Sequence, residues 1–392
     1  MKFIHAADLH LGSPFKGLTQ LSASWQEKVQ EALTTAFDRL VKFAIQEEVD
    51  FIILAGDEFD QVDRDLHSQL YLRQKFQELG QQKIVVFMIY GNHDYLTSSS
   101  AMISWPDNVH VFGPQVTTKV FTAADQTRVA LTGFSYDQNH IRADRLGEYP
   151  NRLAEVDYQI GLLHGQLGKE HQGDYAPFTL AELRSKGYDY WALGHIHKRE
   201  ILSQDPWIVY PGNLQGRHRN EAGAKGFYLV TVQRGQTRLD FQACAPVIWQ
   251  NQTCSVAGVQ DLDGLLQKLR AAIISPEQTL VELTLEDSSQ LTVELQQRLS
   301  DPALLENLQT TNNYVYRLQL AASALQAVTQ LDLKFWQQAA QKVFTSEQLA
   351  DLLNQGKLQN NPLIRSLIQD PQFLKSVQER AQNFINQPET EV

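Results

Sequence analysis

Five short segments of the sequence place acidic, amide and imidazole side chains directly after apolar runs. The apolar runs predict buried strands, and open α/β sheets bind ligands outside the carboxyl ends of their strands. We therefore expect the five segments to meet in one crevice. They are Asp8-Leu9-His10, Gly56-Asp57-Glu58-Phe59-Asp60, Gly91-Asn92-His93-Asp94, His164-Gly165 and Gly194-His195-Ile196-His197.

The residue types in these segments are those that bind hard divalent cations. The pairs Asp8/His10 and His195/His197 are spaced i and i+2, so on a continuing strand both members of a pair would point to the same face. Carboxylate, imidazole and one amide oxygen, with no thiolate, favour Mn²⁺ or Fe²⁺, with Zn²⁺ as an alternative. A carboxylate shared by two ions would hold them about 3.5–4 Å apart, the spacing of two-metal phosphoester hydrolases.

Each segment alone has an explanation without catalysis. An Asp-x-His pair is more often a loop or capping pair, Gly-Asn-His-Asp more often a turn, and His164 could be a hydrogen-bonded core histidine. Together the segments contain five of the eleven histidines in a consistent order, which indicates a site. No Gly-x-Gly-x-x-Gly follows a strand, and residues 165–169 lack the spacing of a phosphate-binding loop, so no ATP-binding motif is recognised.

The elements that must position these residues are predicted from apolar periodicity. Helices at Trp25–Glu47 and 66–80 alternate with strands at Lys2–Ala7, Asp50–Ala55 and Ile84–Tyr90, which predicts a parallel sheet covered on both faces. One central sheet is expected to continue to about residue 245. Its further elements would be strands at Val109–Phe112, Val116–Phe121, Thr127–Phe134, Tyr158–Leu163, Tyr190–Leu193, Trp207–Tyr210 and Gly226–Val232, and a helix at Thr179–Lys186.

The composition changes after residue 245, where glutamine becomes frequent and glycine scarce. We predict three regions: an α/β catalytic domain over 1–245, an α+β capping domain over 246–325 and a helical C-terminal region over 326–392. The predicted elements beyond residue 245 are helices at Leu262–Ile273 and Ser289–Leu308, strands at Thr279–Leu285 and Asn313–Leu320, and helices at Asp332–Val343, Ser346–Gln355 and Pro371–Asn386.

Charge and cysteine content restrict the function classes. The chain has 392 residues and a net charge of −11, which argues against a generic electrostatic binder of nucleic acid. A local basic cluster near His195 could still contact a phosphate. With two cysteines and no secretory signal or membrane-spanning run, a cytoplasmic location is expected. The cluster comprises Lys198, Arg199, Arg217, Arg219 and Lys225.

The ordered motifs D-x-H, G-D-x-x-D, G-N-H-[DE], a lone histidine and G-H-x-H resemble the calcineurin-like metallophosphoesterase superfamily. Residues 5–12, 188–197 and 210–218 look like those of the SbcD-type DNA repair nucleases, in the YhaO-like branch of Gram-positive bacteria. The resemblance covers residues 1–245, and the remainder matches only in layout. It implies a four-layer α/β fold, an α+β sandwich, with a small capping domain and C-terminal helices.

The resemblance also implies two ion sites that share Asp57. His93 would protonate the leaving oxygen or steady the phosphate, and Asp94 and Asp60 would orient it. Glu58 stands where the family usually has an apolar residue. A carboxylate there could tune the metal preference or point to solvent, and we expect it to point to solvent. The ligands would be Asp8, His10, Asp57 and His197 for the first ion, and Asp57, Asn92, His164 and His195 for the second.

The function implied is that of a metal-dependent DNA exonuclease or endonuclease in DNA repair, in which two ions activate a hydroxide. Mn²⁺ is the expected metal, with Fe²⁺, Mg²⁺ or Zn²⁺ as alternatives. A small-molecule phosphodiesterase or phosphatase is the rival, and a non-enzymatic scaffold would require missing ligands. The expected partners are DNA, a second copy of the chain and a Rad50/SbcC-like coiled-coil ATPase. The C-terminal helices would dock on that ATPase or pack on the capping domain.

Overall fold

Strands and helices alternate along the first part of the chain, and strands dominate after residue 100. The computed structural model describes residues 1–18, 21–97, 103–168, 173–273, 275–321 and residue 373. Apart from residue 373, the helices predicted at 332–343, 346–355 and 371–386 lie outside the described residues. The elements are β1 (Lys2–Ala6), α1 (Ala23–Gln30), α2 (Ala32–Gln46), β2 (Phe51–Ala55), α3 (Leu66–Gln81), β3 (Val85–Ile89), β4 (Val109–Val111), β5 (Thr117–Thr122), β6 (Arg128–Gly133), β7 (Tyr158–His164), α4 (Leu180–Ser185), β8 (Tyr190–Gly194), β9 (Glu200–Gln204), β10 (Trp207–Tyr210), β11 (Gly226–Gln233), β12 (Gln236–Ala243), β13 (Ile248–Ser255), α5 (Leu262–Ala272), β14 (Thr279–Glu286), α6 (Val293–Arg298), α7 (Pro302–Leu308) and β15 (Asn313–Leu320).

The predicted single central sheet is wrong, because the strands form two six-stranded sheets. The first has the order β12-β11-β1-β2-β3-β4, and the second the order β5-β6-β7-β8-β10-β9. Strands β1 to β4 run parallel, as do β6, β7, β8 and β10, whereas β11, β12, β5 and β9 pair antiparallel. Strands β13, β14 and β15 form a separate sheet. The mixed α/β class predicted from the sequence is confirmed.

The two six-stranded sheets stack face to face over an apolar layer. In β1, Phe3 packs into this layer, while Ile4 packs on the opposite face, with residues of α2 and α3 such as Phe37 and Phe76. Strands β1, β2 and β3 therefore bury both faces, which explains their nearly continuous apolar sequences. The outer face of the second sheet packs with Leu183 of α4. Helices and loops thus cover both outer faces of the stacked sheets.

Two predicted helices are divided in the structure. The segment 25–47 forms α1 and α2, separated at Glu31, whose backbone dihedrals remain in the right-handed helical region. The segment 289–308 forms a 3₁₀ turn, α6 and α7. Pro302 has no backbone N–H to continue a helix, and the Asp301 side chain accepts from the Ala303 N–H and begins α7.

One compact unit comprises Met1–Cys254, Gln260–Thr284 and Val293–Gln319. The site residues considered below lie in this unit. The boundaries predicted at residues 245 and 325 stay predictions. Among the described residues, no helix is both long and apolar enough to cross a bilayer.

Candidate metal centre

The five sequence segments converge where strands of both sheets end. β1, β2 and β3 of the first sheet lead into the first three segments, and β7 and β8 of the second sheet lead into the last two. The crevice expected from one sheet is therefore built from two stacked sheets. Stacking brings together side chains that are far apart in the sequence, such as His10 and His197, whose Nε2 atoms lie 3.0 Å apart.

Left-handed backbone conformations, and not strand alternation, aim the paired ligand residues. β1 ends at Ala6, and Asp8 and His10 have φ values of 55° and 48°. Asp57 has a φ of 57°. The strand-face argument for the i, i+2 pairs is therefore wrong. The two loops support each other, since the Asp8 N–H donates to the Gly56 carbonyl and the His10 N–H to the Asp57 carbonyl, both at 2.9 Å.

Glycines at the strand ends leave space for the ligand side chains. A Cβ on Gly56 would lie 2.5 Å from His164 Nδ1, and its φ of +96° is in the region that favours glycine. A Cβ on Gly91 would overlap the Asp57 carboxylate and the His164 ring. These two positions require glycine because the ligands approach the backbone closely.

The predicted ligands form two adjacent groups of donor atoms. Asp8, His10 and His197 offer atoms within 4.8 Å of one another, and so do Asp57, His164 and His195. The Asp57 Oδ2 atom lies 3.3 Å from His164 Nε2 and 3.7 Å from His10 Nε2, so it reaches both groups. The remaining predicted ligand, Asn92, places its Oδ1 3.1 Å from His164 Nε2 and from His195 Nδ1.

The donor chemistry fits divalent cations. The Nε2 atoms of His10 and His197 face each other at 3.0 Å, beside the buried carboxylates of Asp8 and Asp57. Facing imidazole nitrogens and buried carboxylates bring lone pairs and negative charge close together. A bound cation would interact favourably with both. Cations held by these groups would neutralise phosphate oxygens and lower the pKa of a water molecule. Ligand roles for the individual residues stay predictions.

Burial and charge set the protonation states in the two groups. Burial lowers the pKa of His10 to about 4 and that of His195 to about 3, so both rings are neutral, as metal binding requires. Burial opposes ionisation of Asp57 too, but the positive charge of His164 and its hydrogen bond to the carboxylate outweigh burial and hold the pKa of Asp57 well below the usual range. Burial likewise lowers the pKa of His164, but the Asp57 carboxylate outweighs burial and raises this pKa to about 9.

His93 is the exposed imidazole of the site. Its main-chain N–H donates to Asp57 Oδ1 at 3.0 Å, and its Nδ1 donates to the Asp60 main-chain carbonyl at 3.0 Å. The orienting oxygen on His93 thus comes from the backbone of Asp60. The Asp60 side chain instead contacts Arg217 at 2.6 Å and lies 3.4 Å from His10 Nδ1. Asp94 accepts from the Gly91 N–H at 2.8 Å and from two N–H groups of the Asp57 loop.

The expectation that Glu58 points to solvent is wrong. Its side chain is fully buried, and its Oε1 accepts from the Gly56 N–H at 3.2 Å. Burial and then the adjacent Asp94 carboxylate raise its pKa well above the usual range. The left-handed Asp57 interrupts the alternation of sides along the chain, so the sequence pattern did not show which way residue 58 points.

Sequence reasoning missed Glu221 and Tyr175. Glu221 Oε1 lies 2.6 Å from His197 Nδ1, and the Tyr175 ring lies 4.5 Å from the His195 ring. The only sequence signal for Glu221 is that it is a single carboxylate after the basic run 217–219. Its distance of 24 residues from His197 gives no periodicity to detect.

The basic cluster is only partly exposed. Arg217 is 9% exposed and its guanidinium donates to Asp60 and Ser13. The Arg199 guanidinium lies 3.7 Å from the centre of the Phe241 ring. Arg199 and Lys198 are nevertheless both exposed. These two residues and Arg219, whose side chain is 50% exposed, remain open to a ligand phosphate.

Two adjacent groups of candidate metal ligands lie at the joined ends of the two stacked sheets. The profile of the calcineurin-like phosphoesterase family matches residues 1–199, and the chain belongs to this family. The family is named for the hydrolysis of phosphate esters.

Two curated relatives each align with more than half of this chain. The uncharacterized metallophosphoesterase YhaO of Bacillus subtilis (strain 168) is 40% identical over 270 residues, covering 68% of this chain and 66% of YhaO. The DNA double-strand break repair protein Mre11 of Methanocaldococcus jannaschii is 27% identical over 243 residues, covering 59% of this chain and 62% of Mre11. The chain thus spans slightly under two thirds of the length of these relatives.

A solved structure of a dimetal phosphatase from Danio rerio aligns with a TM-score of 0.38 at 12% identity. The alignment covers 62% of this chain and 96% of the phosphatase. A score this low supports no argument about function.

Proposed function

We propose that this phosphoesterase is a metal-dependent DNA exonuclease or endonuclease that hydrolyses phosphodiester bonds in DNA repair. The observation that carries the proposal is the pair of donor groups joined by Asp57, with the exposed His93 beside them. Similarity to a DNA double-strand break repair protein supports DNA as the substrate class. Mn²⁺ is the metal we propose, because carboxylate, imidazole and amide donors suit it, with Fe²⁺, Mg²⁺ and Zn²⁺ as alternatives.

His93 would act on the leaving group. Because its Nδ1 donates to the Asp60 carbonyl, Nε2 is the ring atom left for a substrate oxygen. The ring is exposed, so a polymer could reach it without a deep pocket. A proton delivered from Nε2 would neutralise the charge that develops on the departing oxygen.

The rival function is hydrolysis of a small phosphodiester or phosphomonoester. Its specific support is that Arg217, which the sequence suggested as a phosphate contact, is buried and paired with Asp60. Fewer exposed basic side chains therefore remain to contact an extended polyanion such as DNA. The net charge of the chain, −11, also disfavours binding of a polyanion.

A nuclease assay separates the two functions. Labelled single- and double-stranded DNA and a small chromogenic phosphodiester would be incubated with the full chain and Mn²⁺ or Mg²⁺. We expect DNA cleavage that is lost in Asp57→Ala, and DNA affinity that weakens steeply with salt. Rapid turnover of the small ester without DNA cleavage would establish the rival.

We further propose that residues 326–392 dock on a Rad50/SbcC-like coiled-coil ATPase and that two copies of the chain pair through the catalytic region. The sequence predicts helices at 332–343 and 346–355, each with apolar residues at helical spacing, and a helix of this pattern is expected to pack its apolar face against a partner. A chain ending at residue 331 should keep metal-dependent cleavage and lose co-purification with the ATPase. Retained co-purification would show that the tail is not the docking element.

A further inference from the structure

Glu221 contacts the edge of His197 that faces away from the first donor group. Its Oε1 lies 2.6 Å from His197 Nδ1, whereas His197 Nε2 faces His10 Nε2 at 3.0 Å. The two ring nitrogens of His197 therefore have separate partners. Nδ1 contacts the Glu221 carboxylate, and Nε2 faces the predicted metal ligands of the first donor group.

Buried hydrogen bonds hold the Glu221 carboxylate in place. Its Oε2 accepts from the Arg217 N–H at 2.7 Å and from the Asn213 side-chain amide at 3.0 Å. Glu221 is 5% exposed and Asn213 is fully buried. Its Oε1 also lies 3.3 Å from Nε2 of the partly exposed His218. These contacts fix the position of the carboxylate before any ligand binds.

Lys225 holds the main chain of the same histidine. Its Nζ donates to the His197 carbonyl at 2.7 Å, and the residue is 8% exposed. Glu221 and Lys225 thus fix the side chain and the backbone of His197 with two buried charges of opposite sign. Charge-assisted hydrogen bonds of this kind are stronger than neutral ones.

We propose that Glu221 is a positioning residue that keeps the His197 proton on Nδ1 and turns Nε2 toward the first donor group. A carboxylate that accepts from one imidazole nitrogen fixes the tautomer and raises the basicity of the other nitrogen. The ring then offers a lone pair to a cation at Nε2. This inference rests on the proposed dimetal function.

The second donor group has a different support. His164 Nδ1 lies 2.9 Å from the Ala55 main-chain carbonyl, a neutral acceptor. Loss of the Glu221 charge should therefore weaken one ion site and leave the other nearly unchanged. A general loss of structure would weaken both sites, so the difference between the sites distinguishes positioning from folding.

The test is Mn²⁺ binding by calorimetry on the metal-free full chain, with Glu221→Gln compared with wild type. We expect the Kd of one ion to rise by about 10–100-fold while that of the other changes by less than about threefold. The conservative Glu221→Asp should recover part of the affinity. Glu282→Gln is the matched control, because Glu282 is also a buried carboxylate and contacts Tyr316 at 3.0 Å.

Equal weakening of both ions, or unchanged affinity in Glu221→Gln, would overturn the inference. If Glu221→Gln does not fold, the same comparison on Glu221→Asp decides, with a smaller loss confined to one ion expected. A wild-type chain that binds no divalent ion would overturn the dimetal function together with this inference. Two bound ions without DNA cleavage would overturn only the substrate.

Discussion

The two stacked sheets contribute different chemistry to the site. The strands of the first sheet lead to every predicted oxygen ligand, Asp8, Asp57 and Asn92, and to one imidazole, whereas the second sheet supplies imidazoles alone. The negative charge that would neutralise two cations therefore comes from one sheet. The second sheet would complete the coordination with the imidazole rings of His164, His195 and His197. Neither sheet has a full donor set, so the site exists only when the two sheets pack together.

The two sheets also differ in the backbone conformation at their predicted ligands. After β1 and β2, the chain enters left-handed conformations at Asp8, His10 and Asp57, whereas His164 is still the last residue of strand β7. The first sheet thus positions its ligands with strained loops that hydrogen-bond to each other. The second sheet places its first predicted ligand, His164, by regular strand geometry, and only its next one, His195, follows a strand with a positive φ, of 97°.

Removal of the residue that reaches both groups should have the largest effect. We expect Asp57→Ala to lose both ions, because two neighbouring cations lose their shared anion. Hydrolysis should fall by about 10³–10⁴-fold, equivalent to about 4–5 kcal/mol of transition-state stabilisation. Metal analysis and single-turnover rates would measure this, with the exposed Asp107→Ala as the control. Two ions retained by Asp57→Ala would refute the shared role.

His93 is expected to matter for rate and not for metal content, although it follows Asn92 on the oxygen-rich side. His93→Ala should keep two ions while kcat falls by about 10²–10⁴-fold, the range for one general acid. Metal content and kcat measured on the same samples would test this. The exposed His67→Ala should change neither quantity. Parallel loss of metal and rate would make His93 a ligand.

A smaller effect concerns a buried histidine that links the two sheets. His5 of β1 bonds the Tyr190 hydroxyl at 2.9 Å and the Leu193 carbonyl at 3.1 Å, both in β8. Burial lowers its pKa from 6.5 to about 3. Below pH 6.5 the unfolded chain binds a proton that the folded chain does not, so stability falls as the pH falls.

Between pH 7.5 and pH 5, His5 should therefore remove about 2 kcal/mol from the free energy of unfolding. Glutamine does not titrate, so the free energy of unfolding of His5→Gln should fall by about 2 kcal/mol less than that of wild type over this interval. Denaturant unfolding with a chelator present would measure the difference. The exposed His140→Gln is the control, and identical pH profiles for wild type and His5→Gln would contradict the prediction.

The sequence alone predicts the composition of the site better than its construction. Asp8, His10, Asp57 and the later histidines could be found because their motifs lie directly after apolar strands. The left-handed conformations could not be found, since Asp and His adopt them only where neighbouring loops stabilise them. Glu221 was missed because a tertiary contact across 24 residues leaves no local pattern.

The fold shows the same limit. Strand positions followed from apolar runs, and the division of the strands into two sheets did not. A run with both faces buried has the same sequence whether helices or a second sheet cover it. The break before α7 could have been predicted, because Asp301-Pro302 carries both a cap and a helix-starting proline.

The position of β1 has a consequence for biosynthesis. This first strand lies between β2 and β11, with Lys2 opposite Thr231. On the ribosome, one edge of β1 remains unpaired until translation has passed the whole second sheet, which takes roughly ten seconds or more at ~5–20 residues per second. During that interval the nascent chain exposes an apolar strand edge that chaperones can recognise. β1 thus completes its hydrogen bonds only after β11, far along the chain, has been translated.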